Sequence, residues 1–487
     1  MPLISKNSSQ PKGGITPRDR NLLGILLLLM ADLAVTAAVY ALASVIRANF
    51  LPLLVSTPRF LSELGRYIWI LPIWLATLAM NGGYSRRFTF WDELKFIWKS
   101  VFFVAMIVFA SVFVGQAGVK LSRAFIFIIL ILIALLFPLT RPLSKRLLYR
   151  MGLLKRRLII IGTGEAAHRA LSILRREKNL GYEVAGFIGE RPEGCKSTGG
   201  VKVHGFLDRV ERYIEKCGIQ DVLIADPDLD RQTLADLINR IQRKAENALY
   251  LMDISGVAVL GTEIRNFFGE ENLVMEIKNN LARPANYISK KAFDFIFGFI
   301  LSVILFLPLL VIAALVKATS RGPVIFRQQR IGKDGKLFWC YKFRTMYVDA
   351  DKRLGEILKT DPDARKEWET YWKLKKDPRV TAFGGFLRHT SLDELPQLIN
   401  VLKGEMSIVG PRPYLPRERE HLKEFEGTIL SVTPGITGFW QISGRNEKTA
   451  YQRLALDKWY VRNWNFWLDI VILIKTVGVL ATRHGAG

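Results

Sequence analysis

Two adjacent carboxylates, Asp393 and Glu394, stand in the run Ser391-Leu-Asp393-Glu394-Leu-Pro396-Gln397. Ser391 with Glu394 three residues on has the form of a capping box. On that reading both acids only start a helix and complement its dipole. The surroundings point elsewhere. Lys342, Arg344, Arg379, Arg388, Arg412 and Arg445 crowd the same part of the chain. A diphosphate needs its charge neutralised by Arg, Lys or a divalent metal. A carboxylate can attack phosphorus and form an acyl phosphate. A neighbouring carboxylate can hold Mg2+, which keeps several waters and takes few protein ligands. A helix N-terminus adds backbone donors for phosphate oxygens. Paired acids amid these cations, after an apolar helix, suit phosphoryl chemistry.

A second, weaker motif is Gly162-Thr-Gly164-Glu-Ala-Ala167. It follows a strand pattern, Arg157-Leu-Ile-Ile-Ile-Gly162, and opens a helical pattern over 166–176, the context of a dinucleotide loop. The acid that would hold a ribose is expected about 20 residues on, at the end of the next strand. Glu183 lies at the start of that strand and Glu190 near its end. Gly162 and Gly164 are the candidate nucleotide-binding residues, but a unit kept for structure or regulation is the expectation. A sugar-modifying enzyme would carry a Tyr-x-x-x-Lys or Met-x-x-x-Lys pair, and none occurs between Gly205 and Leu281. A non-catalytic membrane scaffold is the other alternative.

These residues must be positioned by a chain of 487 residues that is 50% hydrophobic, 23% charged and +25 in net charge. Mean hydropathy is +0.17. That mixture is too apolar for an ordinary soluble enzyme and too charged for a pure membrane bundle. The positive surplus implies an anionic partner. The apolar segments favour lipid and phosphate over nucleic acid. Cys195, Cys217 and Cys340 lack paired spacing, and the five histidines are scattered. This implies neither a disulfide framework nor a zinc site, and suits a reducing, cytoplasm-facing catalytic part.

Four apolar segments open the chain, at Leu22–Ile46, Phe60–Met80, Ser100–Val119 and Ala124–Leu139. Each is near the roughly 20 residues that cross a bilayer. The first is too long for a cleavable signal peptide and lacks a small-residue cleavage site. Basic residues concentrate in the N-terminal tail, the second loop and the segment after the fourth helix, which places both ends of this bundle in the cytoplasm. Asp32 in the first helix reads as a polar contact inside the bundle. A fifth apolar stretch, Ala292–Val316, has Pro308 near its middle and lysines or arginines at both ends. A full span would carry the C-terminal part outside. A helix broken at Pro308 can instead enter one leaflet and return. Trp440, Trp459, Trp464 and Trp467 lie near the apolar C-terminal helix 466–480; core packing is one reading, but with Lys475 and Arg483 nearby an interfacial helix pair is the expectation.

From about Ser289 onward the chain resembles the bacterial sugar transferases called monotopic phosphoglycosyl transferases. The matching stretches are Lys291-Ala-Phe-Asp294, Gly322-Pro-Val-Ile-Phe-Arg-Gln328, Gly332-Lys-Asp-Gly335, Lys342-Phe-Arg-Thr-Met346, the Ser391–Gln397 block, Met406-Ser-Ile-Val-Gly-Pro-Arg-Pro413 and Pro434-Gly-Ile-Thr-Gly438-Phe-Trp-Gln441. The whole layout resembles the large subgroup. The resemblance implies a membrane α-helical bundle (21–145, after a tail 1–20), an α/β Rossmann-like domain (155–275) and a mixed α/β catalytic domain (285–487) with a re-entrant helix (291–317). It implies transfer of a hexose 1-phosphate from a UDP-hexose to undecaprenyl phosphate, on the cytoplasmic face of a bacterial inner membrane, for O-antigen, capsule or exopolysaccharide synthesis. Asp393 would be the nucleophile and Glu394 the Mg2+ ligand, with Lys342 and Arg388 nearby. Arg412 and Asp457 match positions of the nucleotide or phosphate pocket; Arg344, Arg379 and Arg445 are further candidates for substrate phosphates. Pro308 matches the helix-breaking proline, but Leu307 stands where a serine is common. A homodimer is compatible with this layout.

Overall fold

The computed structural model describes residues 17–49, 65, 67–114, 122–189, 197–198, 200–252, 254, 257, 259–260, 262–266, 273–363, 365, 377–444 and 449–482. The chain divides into two compact units, Met1–Ile254 and Ser255–Gly487.

In the first unit, three helices are long and apolar enough to cross a membrane: Asp19–Asn49, Phe90–Val112 and Arg123–Arg150. The second expected span, Phe60–Met80, is described only in part, as the short apolar helix Ile70–Met80. Residues 60–64 and 66 of it lie outside the described residues. Tyr67, Trp74, Ile97, Phe125 and Phe137 form the bundle's core, while Phe102, Met106, Ile131 and Leu139 face outward.

Charges are also buried here. Arg141 bridges Asp32 at 2.9 Å and Glu93 at 3.1 Å. Lys145 also pairs with Glu93, and Tyr84 donates to Asp32 at 2.8 Å. Asn179, on the neighbouring α/β part, donates to Glu93 at 2.6 Å.

That α/β part is a four-stranded parallel sheet in the order Tyr182–Ile188, Arg156–Ile161, Asp221–Ile224, Asn247–Tyr250. Its strands are runs such as Leu158-Ile-Ile-Ile161, buried on both faces, as parallel sheets require. Gly162 has φ +108, and a Cβ there would meet the Ala225 carbonyl oxygen at 2.6 Å. Gly162 is therefore demanded by the strand crossing itself. Gly164 precedes the helix Glu165–Arg176 and faces open space. Glu183 sits one residue into its strand, and Glu190 lies outside the described residues.

In the second unit the helices Pro284–Ile304 and Phe306–Thr319 meet at a bend of 63°. Proline has no N–H, and its ring collides with the carbonyl four residues back. For Pro308 that carbonyl belongs to Ile304, so the break falls at Leu305 and the second helix restarts there, with Leu309 N–H donating to Leu305 at 2.8 Å.

One face of each arm packs inward. Phe297, Leu301 and Leu305 join a core with Phe338, Cys340, Leu398 and Val401. Ile312 and Val316 join Phe343, Leu387 and Leu395. The opposite faces, including Phe299, Ile300, Val303, Leu307 and Leu310, are exposed.

An antiparallel hairpin, Ile325–Ile331 with Leu337–Phe343, and a parallel pair, Ser407–Val409 with Gly435–Thr437, complete the scaffold with the helices Ala450–Asn463 and Phe466–Thr482.

A buried polar network ties these elements together. Lys290 pairs with Asp469 at 2.8 Å and Asp294 at 3.2 Å, and donates to the Val409 carbonyl at 3.0 Å. Asp294 also accepts from Ser407 Oγ at 2.7 Å and Ile408 N at 3.1 Å. Trp464 Nε1 donates to Asp469 at 3.1 Å, so this tryptophan is a core residue.

Candidate active site

The helix Ala382–Thr390 ends at Ser391, whose φ of +56 is left-handed. The chain then makes a tight 3-10 turn, Leu392–Gln397. Ser391 makes no side-chain cap on that turn, so the capping-box alternative does not form. At three residues per turn, Leu392 and Leu395 fall on one face. Both pack against Phe343 and Leu387, while Pro396 and Gln397 are buried behind them. Asp393 and Glu394 are left on the remaining face.

The hairpin brings up the cation. Cys340, Lys342 and the buried Phe338 alternate along one strand. Asn400 locks that strand to the turn, accepting from Tyr341 N at 3.1 Å and donating to the Trp339 carbonyl at 2.7 Å. Lys342 Nζ then donates to Glu394 Oε1 at 2.6 Å. Burial pushes the Asp393 carboxyl up to about 6; Glu394 adds to the rise, while Lys342 and Arg388 oppose it. Arg388 is fixed by Nε donating to Thr345 Oγ1 at 2.8 Å.

A cavity of about 170 Å³ opens beside this pair, lined by Arg330, Lys342, Glu394, Gln397, Arg412 and Trp440 among others. The loop bearing Arg412 is clamped from two sides. Arg330 donates to the Pro413 carbonyl at 3.0 Å. Asp457, 0% exposed, accepts from Arg412 N at 3.1 Å and Tyr414 OH at 2.7 Å. The guanidinium of Arg412 lies 5.7 Å from the Trp440 ring centroid.

Lys342, Glu394 and Arg412 therefore share one cleft; Asp393, next to Glu394 in the turn, feels the charges of Lys342 and Arg388. Asp457 lies beneath the Arg412 loop. Arg344 is turned to Ser320, donating to its carbonyl at 2.8 Å and its hydroxyl at 2.7 Å. Arg379 makes a two-point pair with Asp377 at 2.8 and 2.7 Å. Arg445 lies outside the described residues. Sequence reasoning assigned no cleft role to Arg330, Gln397 or Trp440. The signal for Arg330 was its place on a strand two residues from Gln328, whose Oε1 it also binds at 2.9 Å.

Among the described residues no group of three or more metal-binding side chains occurs. The donor set fits Mg2+ nonetheless. That ion takes one or two carboxylates and completes its shell with water and substrate phosphate oxygens. Asp393–Glu394 in a cationic cleft provides such carboxylates.

Comparison with known proteins identifies the family of the chain. The bacterial sugar transferase family matches residues 285–483, and a CoA-binding domain family matches residues 81–247. The chain is 35% identical over 407 residues to the undecaprenyl-phosphate galactose phosphotransferase of Salmonella typhimurium, covering 83% of this chain and 84% of that protein. It is 32% identical to the UDP-glucose:undecaprenyl-phosphate glucose-1-phosphate transferase of Klebsiella pneumoniae, covering 84% and 88%. The exopolysaccharide production protein ExoY of Sinorhizobium fredii is 45% identical over 205 residues, which cover 42% of this chain and 90% of that protein. A clustered acid pair, a cationic cleft and relatives of this length lead to one conclusion: the chain belongs to the bacterial sugar transferase family.

Proposed function

We propose that this protein transfers a hexose 1-phosphate, galactose or glucose, from a UDP-hexose to undecaprenyl phosphate. The observation that carries the reading is the Asp393–Glu394 turn held against Lys342 in a cationic cleft. An Asp393 carboxylate oxygen attacks the phosphorus that bears the sugar. The bond from that phosphorus to the bridging oxygen breaks, and UMP leaves with the bridging oxygen. An oxygen of undecaprenyl phosphate then attacks the same phosphorus, and the Asp393 carboxylate departs. The product is undecaprenyl diphosphate-hexose.

Arg412 and Lys342 neutralise the diphosphate, and Arg388 steadies the Asp393 side of the turn. Glu394 would hold Mg2+, which when bound neutralises phosphate charge. Carboxylate attack at phosphorus has precedent in aspartyl-phosphate enzymes, and placed cations are what such transfer needs.

The same reading makes the bent helix pair re-entrant, with the catalytic unit on the cytoplasmic face. Its support is that both arms bury one face against one catalytic unit and expose the other. A straight span could not keep both arms on one side of a bilayer.

The test is UMP release from UDP-galactose and UDP-glucose by lipid-solubilised protein with undecaprenyl phosphate and Mg2+. Wild type should release UMP, and Asp393→Asn should lose at least about a thousandfold in rate, as expected for removal of a nucleophile. Unchanged release by the variant would reduce the acid pair to a turn-forming role.

A further inference from the structure

The larger cavity of the second unit, about 850 Å³, lies away from the Lys342–Glu394 cleft and shares no lining residue with it. Its wall includes the first two turns of the helix Pro284–Ile304, just before the chain becomes continuously apolar. Five of its lining residues are Lys or Arg, and none is Asp or Glu.

Two of these cations are not used up by the fold. Lys290 is consumed by Asp294 and Asp469, and Lys278 pairs with Glu263 at 2.5 Å. Among the described residues Lys291 donates only to the Gly404 carbonyl, at 3.0 Å. Lys333 stands 4.8 Å from the Tyr287 ring centroid. Among the described residues neither Lys291 nor Lys333 faces a carboxylate. The rest of the lining, with Leu281, Pro284, Tyr287 and Val432, is mostly apolar. Cationic heads over an apolar wall at a membrane-entry turn match an anionic amphiphile. Ile288 and Phe295 on the same helix are exposed apolar side chains.

We propose that this cavity binds one anionic phospholipid of the surrounding leaflet, its phosphate between Lys291 and Lys333 and its glycerol and upper acyl chains along Leu281, Pro284 and Val432. The inference rests on the membrane placement of the bent helix pair and not on the sugar chemistry. Lysines at the entry turn then hold the helix to a lipid on one side and, through Lys290 and Val409, to the catalytic strand on the other.

Native mass spectrometry of the full-length protein, titrated with phosphatidylglycerol or phosphatidylcholine, tests it. Wild type should retain one phosphatidylglycerol in preference to phosphatidylcholine. Lys291→Gln with Lys333→Gln should weaken that retention by about tenfold, given the attraction each basic residue exerts near an anionic surface. Lys291→Arg with Lys333→Arg should keep it, which guards against misfolding as the cause. Equal retention of the two lipids by wild type, or no loss in the Gln variant, overturns the proposal. So does competition by soluble glycerol 3-phosphate as effective as that by the lipid, which would mark a free-phosphate site. One-for-one displacement by undecaprenyl phosphate also overturns it, by marking an acceptor site. UMP release measured on the same wild-type sample separates the two readings: intact release without lipid preference strikes this inference alone.

Discussion

Asp393 has opposed neighbours: burial and Glu394 push its carboxyl up, Lys342 and Arg388 pull it down, and the balance is about 6. A nucleophile must be ionised, so acid switches it off. Single-turnover UMP release should climb as pH rises through about 6 and then level. Lys342→Gln removes a cation that favours the ionised form. The midpoint should therefore rise by about one pH unit, with the plateau at least about tenfold lower. A midpoint that stays put or falls would uncouple Lys342 from Asp393.

Asp457 titrates in the same direction for a simpler reason: burial raises it to about 7. Its protonated form suits the folded state. Its stabilising contribution is thus complete below the ordinary carboxylate value and lost as pH rises through about 7. Asp457→Asn keeps acceptors for Arg412 N and Tyr414 OH without titrating. The melting temperature of that variant should gain on wild type between about pH 4 and 7 and hold the gain above that. Asp457→Ala strands both donors and should cost about 2–4 kcal/mol.

At this scale the acid pair and the crowd of cations were legible from residue type alone. Which cations reach the cleft was not. Arg379 is taken by Asp377, two residues away, and Arg344 by Ser320, a partner that only folding supplies.

At the level of elements, the bend was legible because proline acts through local geometry that any sequence displays. The capping-box alternative is not realised, for an equally local reason. Ser-x-x-Glu has the right form, but the preceding helix runs on to Thr390 and puts Ser391 in the left-handed region. The buried partner of Asp294 is not the lysine that opens the matching stretch. Lys291 begins the recognised motif, yet Lys290 lies at the i,i+4 spacing and faces the core.

Pro308→Ala restores an N–H that can reach the Ile304 carbonyl, so the two arms should straighten. The second arm would then lose its packing on Phe343 and Leu387. UMP release in membranes should fall by about tenfold or more, as for catalytic groups displaced by about 1 Å. Release at the wild-type rate would show that the bend is fixed by the packing and not by proline. Asp294→Ala leaves Lys290 facing only Asp469 and strands Ser407 and Ile408 N; breaking such a buried pair costs about 3–5 kcal/mol. Thermal melting of the purified protein would measure it.

For the whole molecule, the two units carry different loads. Every cleft residue identified lies in Ser255–Gly487. In the first unit, Glu93 of a bundle helix meets Arg141 and Lys145 of another and Asn179 of the α/β part. Bundle and sheet are therefore welded through one buried carboxylate. The family match over 81–247 likewise runs across both without a break. Their separation into two domains follows the change in hydropathy along the sequence. The partners that meet at Glu93 lie about 50 to 90 residues from it in the chain, too far for any periodicity to reveal.

The match to the bacterial sugar transferase family, residues 285–483, lies wholly within the second unit. Sugar transfer should then not need the first. A chain of residues 273–487, expressed in membranes, keeps the bent helix pair, the hairpin and the Asp393 turn. It should release UMP with kcat/KM within about tenfold of the full chain, since the interactions made in the transition state are all retained. Glu93→Ala in the full chain should instead destabilise the first unit by about 3–5 kcal/mol, through three stranded partners, while leaving that rate nearly unchanged. A folded but silent short chain, or a Glu93 variant that is stable yet inactive, would mean that the first unit reaches into catalysis.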